Sequence, residues 1–265
     1  MQSSLEALSA DVTGRLDRLE GNCPDRLLTA MRSACLGAGM AQRALLAPAA
    51  ALRCGGQPRD AIPVASAVAL LSGAVCCHLG LEGMPLSRAA PGEVCRGHGP
   101  VLSILAGDAL VPMAMSVLAS ECGRHSVMLV DAAAVAMGTT GVLGSLSFLV
   151  RRREGDPVPV EDEGDQGLMG LSPLARLAAR GGALVVGASE ELADDCALAG
   201  LCTGRALDLL ESDGPGREQL FEARTELDRA RELVGSGPEA RLFRDVIDAV
   251  GRHFPSRSDE LFFQS

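Results

Sequence analysis

Lysine, tryptophan and tyrosine are absent from this 265-residue sequence, and phenylalanine occurs only 6 times. All 24 basic residues are therefore arginines, and 34 acidic residues outnumber them, giving a net charge of −10. A nucleic-acid partner requires a basic surface that displaces counterions from the phosphate backbone, so this composition argues against one. Any contact to a phosphate group has to come from arginine, a helix N-terminus or a metal ion.

The shortage of aromatic side chains constrains the core. Hydrophobic residues make up 47% of the chain but aromatics only 2%, so the core has to be built from alanine, leucine and valine. Alanine and leucine are strong helix formers, and clusters of β-branched or aromatic residues typical of strands are few. The sequence predicts an all-α protein, and its length suits a single domain.

Zinc-binding spacings are also missing, because the nine scattered cysteines form no CxxC motif and no histidine lies at ligand spacing from them. We expect reduced thiols that are mostly buried. The first twenty residues form a charged amphipathic pattern instead of a secretory signal. Segment 61–81 is long enough to span a bilayer, but its alanine and serine content favours a buried helix over a transmembrane segment. The acidic stretch 154–167 suits a solvated loop better than a metal site.

Apolar periodicity and glycine or proline breaks define the expected helices. The segments at 61–81 and 99–121 are apolar on all sides and are predicted to be interior. The expected helices are 3–17, 24–36, 40–54, 61–81, 99–121, 125–137, 139–153, 171–187, 189–212, 217–235 and 238–253.

Several segments, in order, carry a resemblance to a known family. GPVLSILAGDALVPMAMSVLAS at 99–120 is similar to the "LLAGDALL" helix of trans-polyprenyl diphosphate synthases of the geranylgeranyl type. QRALLAPAAALRCGG, AIPVASAVALLSGAVCCH, MGTTGVLG and the helix pair ending in ALDLLESD resemble further family segments. The resemblance implies an isoprenoid-synthase-type helical bundle over 1–254, followed by a C-terminal tail at 255–265.

The family's two aspartate-rich motifs hold Mg²⁺ ions against the allylic diphosphate, so that the ions stabilise the leaving group. At the positions of the first aspartate pair this chain has Leu79 and Gly80, and at those of the second it has Glu211 and Ser212. The diphosphate-binding "GKRLRP" segment reads GMAQRA here, with Met40 and Ala41 at cationic positions, and only Arg43 remains. The resemblance therefore implies a chain without catalytic residues or a bound metal of its own.

Within the family, the chain resembles the noncatalytic small subunits of plant heteromeric geranyl or geranylgeranyl diphosphate synthases. This implies a catalytic geranylgeranyl diphosphate synthase as partner in a hetero-oligomer, with Mg²⁺ and diphosphates bound by that partner. It also implies a chloroplast location and a role in isoprenoid biosynthesis that includes the supply of prenyl diphosphate for chlorophyll biosynthesis. The family's subunit-interaction CxxxC pairs have no counterpart here, since no two cysteines are four residues apart.

The resemblance places helix 99–121 at the subunit interface, with Asp108, Ala109, Pro112 and Met113 as candidate interface residues. For Asp108, we favour a structural role, such as a contact to a neighbouring helix, over catalysis. Two other functions stay open. One is a prenyl diphosphate-binding enzyme with metal-independent chemistry on the same scaffold, and the other is a small-molecule binding module that uses the vacated cavity.

Overall fold

The computed structural model describes residues 1–35, 41–81, 84, 93–155, 170–212 and 215–254. This part of the chain contains α-helices joined by turns and short 3₁₀ segments, and no strand. The helices are α1 (Gln2–Asp17), α2 (Asp25–Cys35), α3 (Ala41–Ala44), α4 (Leu46–Arg53), α5 (Ile62–Leu79), α6 (Glu93–His98), α7 (Pro100–Glu121), α8 (Ser126–Met137), α9 (Val142–Glu154), α10 (Ser172–Val185), α11 (Glu190–Glu211), α12 (Arg217–Val234) and α13 (Arg241–Gly251).

The all-α prediction is confirmed, and most expected helices are found. The segment expected at 40–54 is divided into α3 and α4, and the short helix α6 was not expected. α6 lies in a stretch rich in glycine and proline, which on pattern alone favours a loop. The tail at 255–265 and the acidic stretch at 156–167 lie outside the described residues.

The core of the bundle is assembled around α5 and α10. α5 packs against α1, α2, α7 and α10, and α10 packs against α4, α8 and α11. From Val64 to Cys77 every residue of α5 is buried. This arrangement is possible because the side chains are mostly small, so that neighbouring helices approach α5 closely on all sides. One continuous cluster of buried apolar residues extends from Leu8 in α1 to Val250 in α13.

Close helix contacts depend on glycines in two places. A Cβ atom at Gly182 of α10 would overlap the backbone oxygen of Ala47 in α4, and it would lie 2.6 Å from the Cα atom of Ala47. A Cβ atom at Gly107 of α7 would overlap the imidazole of His78 at the end of α5. The glycine of the AGDA sequence therefore lets α7 pack against α5.

The contact at Gly182 leads to a prediction about stability. Gly182→Ala is expected to lower the free energy of unfolding by about 1–3 kcal/mol, because backbone atoms of α4 have to move to admit the methyl group. The control is Gly14→Ala in α1, where the nearest atom to the added methyl group is Nη1 of Arg18 at 3.8 Å. That substitution is expected to stabilise the protein by about 0.5–1 kcal/mol through helix propensity. Urea denaturation of both variants measures the difference, and an unchanged Gly182→Ala variant would contradict the packing of α4 on α10.

Three helical segments in the described residues are long and apolar enough to cross a membrane by length and composition: Pro58–Leu79, Pro100–Glu121 and Gly123–Arg151. The first is 89% buried inside the bundle, which confirms the expected central helix and accounts for its apolar character. The second is only 39% buried and the third 44%. The expectation that the helix at 99–121 is interior is therefore wrong, since apolar composition alone does not distinguish a core helix from one with an uncovered face.

The uncovered apolar residues are concentrated on neighbouring helices. Six of the eight large hydrophobic side chains that are exposed in the described residues lie between positions 101 and 143. α8 packs against α7. The name α7–α8 face is used below for the exposed side chains of Val101, Ile104, Leu105, Val127 and Val135. Exposed apolar residues on adjacent helices make this face a candidate interaction surface.

Candidate functional site

A buried cluster of charged side chains joins α3 to the end of α11. Nη2 of Arg43 in α3 donates to Oδ1 of Asp208 at 2.5 Å and to Oε2 of Glu211 at 2.9 Å. The side chains are 3%, 11% and 7% exposed, respectively. Asp208 and Glu211 are three residues apart and therefore lie on the same face of α11. These three residues are called the buried triad below.

The second oxygen of Asp208 is also occupied. Its Oδ2 accepts a hydrogen bond from the backbone N–H of Ser172 at 2.8 Å, at the first residue of α10. Asp208 thus connects α3 to the beginning of α10 from its position on α11. Neither of its carboxylate oxygens is left without a partner.

The electrostatics of the triad follow from its burial. Removal from water raises the pKa of Asp208 to about 6, and the adjacent carboxylate of Glu211 acts in the same direction, while the guanidinium of Arg43 opposes both. Burial on its own lowers the pKa of Arg43, but Glu211 and Asp208 outweigh that effect, so the pKa of Arg43 is raised above its usual value. The guanidinium therefore stays charged and stabilises both carboxylates, of whose two negative charges it compensates one.

The positions expected from the first metal motif lie at the end of α5. Leu79 is 2% exposed and belongs to the core, and Gly80 follows as the C-cap of the helix. Cys76, one turn earlier, is within electrostatic reach of Arg43 and Glu211; burial raises the pKa of its thiol to about 12. The end of α5 is thus close to the triad, but it contributes a thiol and an apolar side chain to this region instead of carboxylates.

The remaining positions expected from the sequence are placed as follows. Ala41 begins α3, two residues before Arg43, whereas Met40 lies outside the described residues. Ser212 caps the end of α11 and donates its hydroxyl to the backbone oxygen of Leu209 at 2.7 Å. Its side chain is therefore occupied locally. In the described residues, no group of three or more His, Cys, Asp or Glu side chains has a metal-binding arrangement.

Gly170 lies two residues before the start of α10, and the resemblance aligns Gly170 and Leu171 with a "KT" pair of the family. Its φ is +42°, and a Cβ atom there would lie 2.6 Å from Cγ of Asp208. A lysine at this position would therefore be strained and would collide with the triad. The position of Asp208 in the triad therefore depends on the glycine at position 170.

Asp208 was not among the residues singled out from the sequence. The family motif drew attention to positions 211 and 212, whereas in the structure Arg43 binds the carboxylates at positions 208 and 211. The sequence did contain a signal for Asp208: it lies three residues before Glu211, so that a helix places both carboxylates on one face. A single arginine retained at position 43 was the natural partner for them.

The candidate interface residues on α7 are in two different surroundings. Asp108 and Pro112 are exposed, and a carboxylate oxygen of Asp108 lies 3.8 Å from Nε2 of His78 on α5. Ala109 and Met113 are partly buried and line a cleft between α7 and the segment that joins α1 to α2. A cleft of about 610 Å³ is found there, with the Arg15–Glu121 ion pair at its edge. The Asp108 side chain is 65% exposed and makes no shorter polar contact in the described residues, so the structural role favoured for it stays a prediction.

Comparison with solved structures identifies the fold. An FPP/GFPP synthase from Zymomonas mobilis superimposes with a TM-score of 0.75 at 22% identity, covering 94% of this chain and 100% of that one. A deletion mutant of heterotetrameric geranyl pyrophosphate synthase from mint gives 0.70 at 20% identity, covering 93% and 100%. The geranyl diphosphate synthase small subunit from Antirrhinum majus gives 0.72 at 19% identity, covering 93% and 98%. No protein-family model matches the sequence, and the same holds for the curated proteins. The chain has the all-α isoprenoid synthase fold.

Proposed function

We propose that this chain is a noncatalytic subunit that docks onto a catalytic geranylgeranyl diphosphate synthase and modulates its activity, product length or location. The observation that carries the proposal is the buried triad. Arg43, the one cation kept from the diphosphate-binding segment, is bonded to Asp208 and Glu211 on the helix that carries the second metal motif in the family. Groups that would bind a diphosphate and a metal ion bind each other instead.

The fold and the exposed surface support a partner of related structure. One structural neighbour is a geranyl diphosphate synthase small subunit, and another is a heterotetrameric geranyl pyrophosphate synthase. The α7–α8 face supplies an apolar surface on two adjacent helices. Burial of that face against a second helical bundle would account for side chains that the single chain leaves in water.

The proposal assigns the chemistry to the partner. The catalytic chain binds Mg²⁺ and both diphosphates, and this chain requires no cofactor. The setting that the resemblance implies is the chloroplast and its isoprenoid pathways, including the supply for chlorophyll. Activity should therefore scale with the number of catalytic chains and not with the total number of chains.

The first test is an activity assay on the isolated chain. We expect no Mg²⁺-dependent condensation of allylic and homoallylic diphosphates, because Leu79, Gly80 and Ser212 provide no carboxylate. The variant Glu211→Asp/Ser212→Asp, which leaves the core at α5 intact, is expected to be inactive as well, since Arg43 stays bound to Asp208. Adding Leu79→Asp and Gly80→Asp should not restore activity, and circular dichroism has to show that this fourfold variant is folded. Slow Mg²⁺-dependent product formation by the wild-type chain would refute the proposal.

The second test is to mix the chain with a catalytic geranylgeranyl diphosphate synthase. We expect turnover per catalytic chain to rise, with the twenty-carbon product retained. The reason is that this chain lacks the CxxxC pairs of the small subunits whose complexes release the ten-carbon product. Product analysis by chain length, with the synthase alone as the control, measures both effects. A mainly ten-carbon product would contradict the expected length, and unchanged rate and length would leave location as the only role.

A metal-independent enzyme is the second candidate, and Asp208 is the residue that favours it. A buried carboxyl group with a pKa near 6 is suited to general acid–base catalysis at neutral pH. Turnover of a prenyl diphosphate by the isolated chain in the presence of EDTA, lost in Asp208→Asn, would support this candidate. Absence of such turnover, together with complex formation, would support the noncatalytic subunit.

A further inference from the structure

Two cysteines that are far apart in the sequence meet at one edge of the bundle. Cys54 is the C-cap of α4, and Cys196 lies on α11, 142 residues later. Their Sγ atoms are 3.9 Å apart, close enough for a thiol hydrogen bond between them. A disulfide bond requires about 2.05 Å, so a gap of about 2 Å remains for side-chain rotation to close.

We propose that Cys54 and Cys196 form a reversible disulfide bond that ties the end of α4 to α11. The local backbone suits this reaction. Cys54 is partly exposed, whereas Cys196 is buried directly behind it. The turn that follows Cys54 begins with Gly55 at φ +79°, and Gly56 packs directly on the side chain of Val186 before α11. The turn is thus packed against the end of α10, and α10 packs against α11, the helix that carries Cys196.

The two thiols also differ in pKa, so that one of them is the better nucleophile for forming the disulfide bond. The hydrogen bond between the two thiols lowers the pKa of Cys54, and the charge of Arg53 acts in the same direction. The same hydrogen bond and burial raise the pKa of Cys196. Burial also raises the pKa of five other thiols, those of Cys35, Cys76, Cys77, Cys122 and Cys202. Since the thiolate is the nucleophile, Cys54 is the attacking group and Cys196 the resolving one.

The oxidant is a small-molecule disulfide, RSSR, such as glutathione disulfide. The Cys54 thiolate attacks one sulfur of RSSR, forming a Cys54–SR mixed disulfide and releasing RS⁻. Cys196 then loses its proton and attacks Sγ of Cys54, forming the Cys54–Cys196 bond and releasing the second RS⁻. The two protein thiols are oxidised, RSSR is reduced, and the two thiol protons are found on two RSH molecules.

The experiment is an equilibrium titration of the full chain with glutathione disulfide and glutathione, followed by alkylation and tryptic digestion. Because the chain has no lysine, trypsin leaves Cys54 in the peptide 54–59 and Cys196 in the peptide 181–205. The expected product is a cross-link between these two peptides. The number of titratable thiols in denaturant falls from nine to seven, and the urea midpoint of unfolding rises on oxidation.

Matched variants separate this pair from its neighbours. The peptide 181–205 also contains Cys202, which is buried on the same helix, so Cys202→Ser is the control that should keep the cross-link. Cys54→Ser at the partly exposed position should abolish both the cross-link and the shift in the urea midpoint without unfolding the protein. A stable mixed disulfide on Cys54 without a cross-link, or a cross-link that is lost in Cys202→Ser, overturns the proposal.

Discussion

Replacing Arg43 with methionine is expected to lower the free energy of unfolding by about 3–5 kcal/mol at pH 7. The substitution leaves Asp208 and Glu211 buried, with exposures of 11% and 7%, and removes the cation that both of them bind. Two uncompensated carboxylates in a water-poor site repel each other and have lost their hydration. Urea denaturation of wild type and variant measures the loss.

The dependence of this loss on pH distinguishes charge from packing. Burial raises the pKa of Asp208 from 3.8 to about 6 in the folded protein. Between those values the folded state binds more protons than the unfolded state, so this group makes the protein less stable as pH rises through that range. Without Arg43 the pKa of Asp208 rises further. The deficit of Arg43→Met should therefore shrink on acidification, by up to about 1.4 kcal/mol per pH unit for each additional proton bound.

Two controls belong with this measurement. Arg59→Met removes an arginine that is 84% exposed and 3.9 Å from Asp60, and it should change stability by less than about 0.5 kcal/mol. The triple variant Arg43→Met/Asp208→Asn/Glu211→Gln removes all three charges while position 208 can still accept the N–H of Ser172. It should recover most of the lost stability. A deficit in Arg43→Met that is independent of pH, or a triple variant as unstable as the single one, would show that the triad is not held by charge.

The helical pattern of the sequence was sufficient to predict the fold class and most of the helices. Segment 61–81 consists almost entirely of apolar or small residues, which predicts a central helix, since such side chains allow neighbours on all sides. The same argument failed for segment 99–121, because a helix with an uncovered apolar face has the same composition as one covered by the core on all sides. The short helix α6 was missed because glycine and proline surround it.

The site was predicted less completely than the fold. The retained Arg43 and the substituted motif positions were identified from the resemblance, but the pairing of Arg43 with Asp208 was not. Motif comparison examines only the residue at each expected position. The structure instead brings Arg43 to Asp208, which is 165 positions later in the chain and three positions before Glu211 on α11. The overlap of Asp208 with a side chain at position 170 could not be predicted from the sequence either, because it depends on the φ angle of Gly170 and on its distance to Asp208.

The second large expected effect concerns docking. Leu105→Arg and Val127→Arg are expected to weaken the complex with a catalytic geranylgeranyl diphosphate synthase by roughly 30-fold or more, equivalent to about 2 kcal/mol. Both side chains lie on the α7–α8 face and are 49% and 84% exposed in the single chain. A stable helical interface of this type should bury on the order of 2,000 Å² or more, and a charge stranded in its apolar centre loses its hydration.

These positions test docking more cleanly than the two partly buried residues of α7. Ala109 and Met113 line the cleft against the segment between α1 and α2, so arginine at either position would disturb the single chain as well as the complex. Arginine at Leu105 or Val127 is solvated in the free protein and should leave its stability within about 0.5 kcal/mol of wild type. A loss of binding without a loss of stability is then attributable to the interface.

The control for this experiment is Phe221→Arg in α12. Phe221 is 75% exposed, so the substitution makes the same change from apolar to cationic on a helix outside the α7–α8 face. It should leave the dissociation constant unchanged, which separates a local effect from a general effect of added positive charge on a chain of net charge −10. Size-exclusion chromatography and a titration of binding give the result. If Leu105→Arg and Val127→Arg bind as wild type while Phe221→Arg does not, the partner docks on α12, and the uncovered residues of α7 and α8 have another role.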